Sequence, residues 1–360
     1  MSVTLKSLTP QSPIFNIPSP PVPGGLQKED FKITSATSQT LSGSASIEGY
    51  LLEVKLEGSF EYPNGQPRTG ADMDGVVYTI SKQEKYFNGN LVEQLIYNPA
   101  VDGHTQFDAD TELAAAQTIY SGHDTFIGAT GADKDKEGDV IDGYAGNDVF
   151  FGNGAVKYDD IFYGGSGVDT SVYRGKYANY TITAGTVWND YSQKVELPGY
   201  IVTDKTSQDG RQQLHAVERL QFTDGTVALD FSRGENGYKA AMMIGAAFGK
   251  EKIKEYFAPA IQLFDQGMSS LAVAQLVVDL QLIENTIGSS SHKAFVNEIY
   301  ENVVGVKPDA LSEALYTNYL DTGAMTKAQL LNLAAGVDLL ENQINLTGLQ
   351  SQGVFYTAFL

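Results

Sequence analysis

The amino-acid sequence predicts a multidomain chain of the β plus α class. An N-terminal antiparallel β-domain is followed by a short irregular parallel β-roll with a β-strand cap, and then by a C-terminal duplicated α-helical domain. Three observations carry this reading. Polar and apolar residues alternate over 30–101. Glycines, single aspartates and large apolar residues return on a beat of nine over 122–173. From Asn236 onward apolar residues recur at i, i+3, i+4 and i+7, the period of an amphipathic helix.

Residues 1–29 are rich in Pro and Ser and read as an extended arm. Residues 30–119 form the β-domain. Tyr50 to Leu56 and Gly75 to Ile80 are its clearest strands, and Pro63-Asn64-Gly65 is a turn signal. The alternation suits either a small sandwich or a single sheet. A short helix over Leu113 to Ile119 is expected to cap the first turn of the next domain and cover its open edge.

The roll occupies 120–173. Against the nonapeptide G-G-x-G-x-D-x-U-x, where U is large and apolar, two copies read well. The copy from Gly143 to Phe151 lacks only the second glycine, where Tyr144 stands. The copy from Gly164 is complete through Asp169, but Ser171 replaces its apolar residue. Half-copies end in Asp124-Thr125-Phe126, Asp139-Val140-Ile141 and Asp160-Ile161-Phe162. Each copy makes a six-residue turn and a three-residue strand, and stacked copies wind into a parallel roll. The glycines permit positive φ in the turn. The aspartates supply hard carboxylate oxygens, and Ca²⁺ takes six to eight oxygen ligands. The candidate metal ligands and turn residues are therefore Asp124, Asp133, Asp135, Asp139, Gly143, Gly146, Asn147, Asp148, Asp160, Gly164, Gly167 and Asp169, holding about two to four Ca²⁺ ions.

This pattern resembles the RTX (haemolysin-type) calcium-binding repeats of secreted bacterial proteins. The string Asp133 to Gly138 also looks like the opening of an EF-hand loop. However, position twelve would be Tyr144 rather than a bidentate Glu, so an insertion between roll turns fits better. His123 stands before a repeat aspartate, where Asn is common in such repeats, and reads as a structural part.

Residues 174–233 return to alternating strands that cap the roll. The string Val217 to Thr226 is similar to the strand and turn that close RTX regions. Trp188, the single tryptophan, reads as a packing residue. In residues 234–360, Gly249 and Gly305, and likewise Gly267 and Gly323, correspond at an offset of 56, and Leu282 to Asn285 matches Leu339 to Asn342 at 57. This is an internal duplication. Tyr300, Gly305, Pro308, Asp309 and the run Leu315 to Gly323 resemble a helical domain of unknown function found on bacterial RTX and surface-layer proteins. Val306 stands where that domain has an arginine, so any role of the arginine does not carry over.

Composition narrows the function. With 42% hydrophobic residues over 360 positions the chain can bury real cores. The formal charge of −20 argues against nucleic acid as a partner. Residues 102–170 hold twelve Asp against three Lys and no Arg, a run that repels itself unless cations enter it. There is no cysteine, hence no disulfide framework or thiolate site. No eighteen-residue uncharged apolar stretch spans a membrane. The N-terminus lacks the basic and apolar regions of a cleaved signal, while the RTX resemblance implies type I secretion through an uncleaved C-terminal signal, with which the apolar end Gly353 to Leu360 is compatible. No H-E-x-x-H or G-x-S-x-G motif is present, and the four histidines are scattered, so no catalytic site is expected. The resulting expectation is a secreted structural protein of the cell surface that folds on Ca²⁺ and assembles as a homo-oligomer or polymer into a surface layer, filament or matrix. The runner-up is a calcium-dependent adhesin that binds cell-surface polysaccharide through residues 30–101, and behind it stands a cryptic secreted hydrolase.

Overall fold

The computed structural model describes residues 2–7, 32–47, 50–62, 67, 77–87, 90–102, 122–127, 140–152, 159–187 and 197–357. The expected turn at 63–65, the helix over 113–119 and Trp188 lie outside the described residues, as do most of the arm and the segment 128–139. The chain divides into two compact units. One is Met1–Val217 with Gln221–Thr223, and the other is Glu218–Leu220 with Asp224–Leu360. The β part is N-terminal and the helical part C-terminal.

In the first unit, β2 (Lys32–Ala36), β3 (Thr40–Ile47), β4 (Tyr50–Glu61), β5 (Val77–Phe87) and β6 (Asn90–Asp102) form an antiparallel meander in chain order. It is one sheet, not a sandwich. Side chains alternate across it as a pleated strand requires: Leu56 and Phe60 are buried, while Lys55, Glu57 and Ser59 are exposed. The arm begins with a strand, β1 (Ser2–Ser7), which pairs with this chain's own β6 in antiparallel register, Leu5 opposite Leu95. On its other side β1 pairs in parallel with β7 (Thr125–Ile127), Leu5 opposite Phe126. The first residues of the chain thus stitch the meander to the roll.

The roll has two parallel faces. One is β7, β9 (Val149–Phe151) and β11 (Thr170–Val172), with Phe126, Phe150 and Ser171 in line. The other is β8 (Val140–Asp142), β10 (Asp160–Tyr163) and β14 (Arg211–His215), with Ile141, Phe162 and Leu214 in line. Between them Phe126 stacks on Phe150 at 5.2 Å, and Phe150 on Phe162 at 5.1 Å. All three rings are fully buried, so a stack of aromatic side chains runs through the roll, joined by Ile141 and Leu214. β12 (Tyr180–Val187) and β13 (Leu197–Asp204) continue the second face as an antiparallel extension from β14.

In the second unit, β15 (Arg219–Phe222) contributes Arg219 and Leu220, and β16 (Gly225–Ala228) pairs with β17 (Val354–Tyr356). Val354–Tyr356 of the apolar C-terminal stretch is thus engaged in an antiparallel strand pair, Val227 opposite Phe355. The helices come in two runs of similar order. α1 (Asn236–Phe248) matches α5 (His292–Val304), and α2 (Ile253–Asp265) matches α6 (Ala310–Asp321). α3 (Ser270–Asp279) matches α7 (Lys327–Ala334), and α4 (Leu282–Ile287) matches α8 (Asp338–Gln343). α9 (Leu346–Gln352) has no counterpart. The repeated glycines set the ends: Gly249 (φ 78°) and Gly305 (φ 84°) terminate α1 and α5 in a region of backbone space closed to most side chains. α1 packs on α5 and α3 on α7, so helices meet their own duplicates around a core that includes Met242, Phe257, Phe295 and Leu331. No helix among the described residues is long and apolar enough to cross a membrane.

A buried ion network pins the start of this unit. Arg219 donates to Asp230 Oδ1 and Asp265 Oδ1, each at 2.6 Å, and the Gly237 backbone N–H donates to Asp230 Oδ2 at 2.9 Å. The arginine of the Val217-to-Thr226 string therefore ties β15 to α1 and α2.

Candidate metal centre

Three-residue strands separated by tight turns place one acidic residue per turn at the same height, just ahead of each strand. On the first face the aligned residues are Asp124, Asp148 and Asp169. On the second, Asp160 is in register with Gln212. Each of the four carboxylates is no more than 1% exposed, a costly placement for a charge. Backbone donors repay part of that cost. Asp148 Oδ1 accepts the N–H of Asp124 at 2.8 Å, and Asp169 Oδ1 accepts the N–H of Asp148 at 2.7 Å. The second oxygen of Asp148, Oδ2, is buried and accepts no hydrogen bond among the described residues. Desolvation, with the nearby charges of Asp124 and Asp142, pushes the Asp148 carboxyl up to about 7. Desolvation and the charge of Asp148 push Asp169 up to about 7 as well.

The glycines show where Oδ2 points. A methyl group built on Gly143 would lie 2.3 Å from Asp148 Oδ2 and 2.6 Å from the Gly164 carbonyl oxygen. One turn further, a methyl on Gly164 would lie 2.5 Å from Asp169 Oδ2 and 1.9 Å from the Ala216 carbonyl oxygen. A carboxylate oxygen and a carbonyl oxygen from the next turn therefore face the same small space, twice, with the same partners by position. Hard oxygen donors of this kind suit a calcium-sized cation. No group of three or more His, Asp or Glu side chains suited to a metal is found among the described residues. A cation here would take one carboxylate per turn and complete its shell from main-chain carbonyls and water.

The other turn residues hold the stack. Gly146 (φ 129°) and Gly167 (φ 145°) lie so close to the carbonyls of Gly122 and Gly146 that no side chain fits. Tyr144 takes the second-glycine position at φ 61°. Asn147 Oδ1 accepts the Val168 N–H at 2.9 Å, and His123 Nδ1 accepts the Asn147 N–H at 2.7 Å. Histidine and asparagine thus do the same work on successive turns.

Of the candidate ligands, Asp148 with Gly143 and Gly164, and Asp169 with Gly164, are brought together at the two oxygen pairs. Asp124 begins the same column. Asp160 belongs to the opposite column, facing Gly152 and Gln212. Gly146, Asn147 and Gly167 serve the packing and hydrogen bonding of the turns. Asp133, Asp135 and Asp139 lie outside the described residues. Sequence reading missed Ala216 and Gln212. A signal existed: Gln212-Gln213-Leu214 has the spacing of Asp160-Ile161-Phe162, with glutamine for aspartate.

Compared with protein-family models and with curated proteins, the chain matches none.

Proposed function

We propose that this is a secreted calcium-binding structural protein of the bacterial cell surface, whose roll folds when Ca²⁺ enters the turns and whose flanking parts then assemble into a layer, filament or matrix. The observation that carries the reading is the repeated oxygen pair, Asp148 Oδ2 with Gly164 O and Asp169 Oδ2 with Ala216 O, set among carboxylates whose burial makes charge costly unless a cation offsets it. Where Ca²⁺ is scarce, these charges and the −20 formal charge of the chain oppose compaction. Where it is plentiful, the free energy of binding becomes free energy of folding. Bound there, the ion would supply only positive charge and oxygen coordination. Gly143 and Gly164 leave the space, Asp148 and Asp169 supply the carboxylates, and the backbone ladder holds both side chains in position.

The test is a pair of melting curves with electron microscopy on the same samples. Excess Ca²⁺ is expected to raise the melting temperature well above that in chelator and to yield ordered assemblies that chelator disperses. Identical melting in both conditions would remove the calcium reading. Ca²⁺-dependent melting without arrays or fibres would remove only the assembly.

A further inference from the structure

The column that contains Asp160 ends differently from its neighbour. On the second face Gln212 stands in register with Asp160, and Leu214 with Phe162, so β14 is one more turn of the roll with an amide in the aspartate position. Gln212 is 1% exposed. A methyl built on Gly152 would lie 2.4 Å from Gln212 Nε2 and 2.6 Å from Asp160 Oδ2. The space beside Gly152 is therefore the counterpart of those beside Gly143 and Gly164. In those two the carboxylate oxygen meets a carbonyl oxygen. In this one it meets an amide nitrogen, which donates protons and cannot coordinate a cation.

Ser171 is the partner of the amide oxygen. It occupies the position filled by Phe126 and Phe150 on the same face and is fully buried. Its hydroxyl donates to Gln212 Oε1 at 2.9 Å. With Oε1 engaged, Nε2 is turned to the Gly152 space, where it makes no hydrogen bond with a described residue. The departure from the repeat at Ser171 and the departure at Gln212 are thus one device.

We propose that Gln212, its amide oxygen held by Ser171, ends this column of the roll by turning the positive end of a neutral amide to the space that Asp160 Oδ2 also faces, where the other column presents oxygen to an ion. The space beside Gly152 therefore takes no Ca²⁺. This rests on the calcium reading of the roll.

The experiment is Ca²⁺ titration by calorimetry on the full chain, with melting curves in chelator and in excess Ca²⁺, for wild type and for Gln212→Glu, a change that keeps shape and puts an oxygen in the place of Nε2. The variant is expected to bind one more Ca²⁺ than wild type, to melt lower than wild type in chelator, and to recover in excess Ca²⁺. Unchanged stoichiometry with tighter binding would mean that Gln212 is already a ligand through its oxygen, and would overturn the proposal. Failure of Ca²⁺ to restore the variant would overturn it too. Should Gln212→Glu fail to fold even with Ca²⁺, Asp160→Asn decides: unchanged stoichiometry supports the proposal, and loss of one ion refutes it. A wild type that binds no Ca²⁺ at all would refute the underlying function rather than this assignment of Gln212.

Discussion

The backbone N–H of Asp124 donates to Oδ1 of Asp148 at 2.8 Å, and the contact recurs one turn on, from Asp148 to Asp169 at 2.7 Å. Asp148 therefore uses one oxygen to hold the previous turn and keeps the other for the space beside Gly143. This division of labour makes the two oxygens separable by mutation. Asp148→Asn retains an acceptor for the Asp124 N–H but removes the buried charge. In chelator it is expected to melt higher than wild type, because a desolvated carboxylate is gone. In Ca²⁺ it is expected to melt lower, with at least a tenfold loss of affinity at one site. A variant that shifts the same way in both conditions would mean that Asp148 holds the turn and nothing else.

The pH response follows from the same carboxyls. Asp148 and Asp169 are pushed up to about 7 by burial, against about 4 in an unfolded chain. Between those values the cation-free folded state binds more protons than the unfolded state. Their contribution to stability in chelator is then full below about pH 4 and is lost as pH rises through about 7. With Ca²⁺ present the slope should reverse, since the ion binds the deprotonated form. Melting temperatures at pH 4.5, 6 and 7.5 (~ values spanning the unfolded and folded titration ranges) check this. Parallel profiles with and without Ca²⁺ would contradict it.

Much of this was legible in the residues, for physical reasons. The D-x-U spacing is local, so Phe126, Phe150 and Phe162 announce their own turns. Gly249 and Gly305 mark helix ends because both adopt positive φ. What stayed hidden depends on partners far along the chain. Gln212-Gln213-Leu214 joins the roll only after the β12–β13 hairpin returns β14 to β10, and it carries no glycine or aspartate to advertise that. Ser2–Ser7 is a strand between β6 and β7, yet six residues ahead of a proline-rich run offer too short an alternation to be read alone. The inward carbonyls of Gly164 and Ala216 are main-chain atoms, which no side-chain pattern reveals.

His123 offers a test of the outer ladder apart from the ions. Its Nδ1 accepts the Asn147 N–H as Asn147 Oδ1 accepts that of Val168. His123→Asn should leave melting unchanged within a degree or so, and His123→Ala should lower it by about 2–4 °C, the scale of one lost hydrogen bond. Ca²⁺ stoichiometry is expected to be the same in both. A stoichiometry that changes on His123→Ala would place the histidine at an ion.

Arg219 is a buried cation outside the roll. Its guanidinium is 5% exposed and meets Asp230, 2% exposed, and Asp265, while Asn236 Nδ2 also donates to Asp265 Oδ1 at 3.1 Å. Burial raises the Asp230 carboxyl, and the guanidinium opposes that rise. Removing the cation leaves the buried carboxylate of Asp230 uncompensated beside that of Asp265. Arg219→Met is therefore expected to cost about 3–5 kcal/mol, as for a broken buried pair, and to do so equally with and without Ca²⁺. Adding Asp230→Asn to Arg219→Met removes one of the stranded charges and should recover part of the loss. Chemical denaturation of the single and double variants in chelator and in Ca²⁺ measures both effects. A double variant no more stable than Arg219→Met would show that the arginine acts through packing of its stem rather than through its charge.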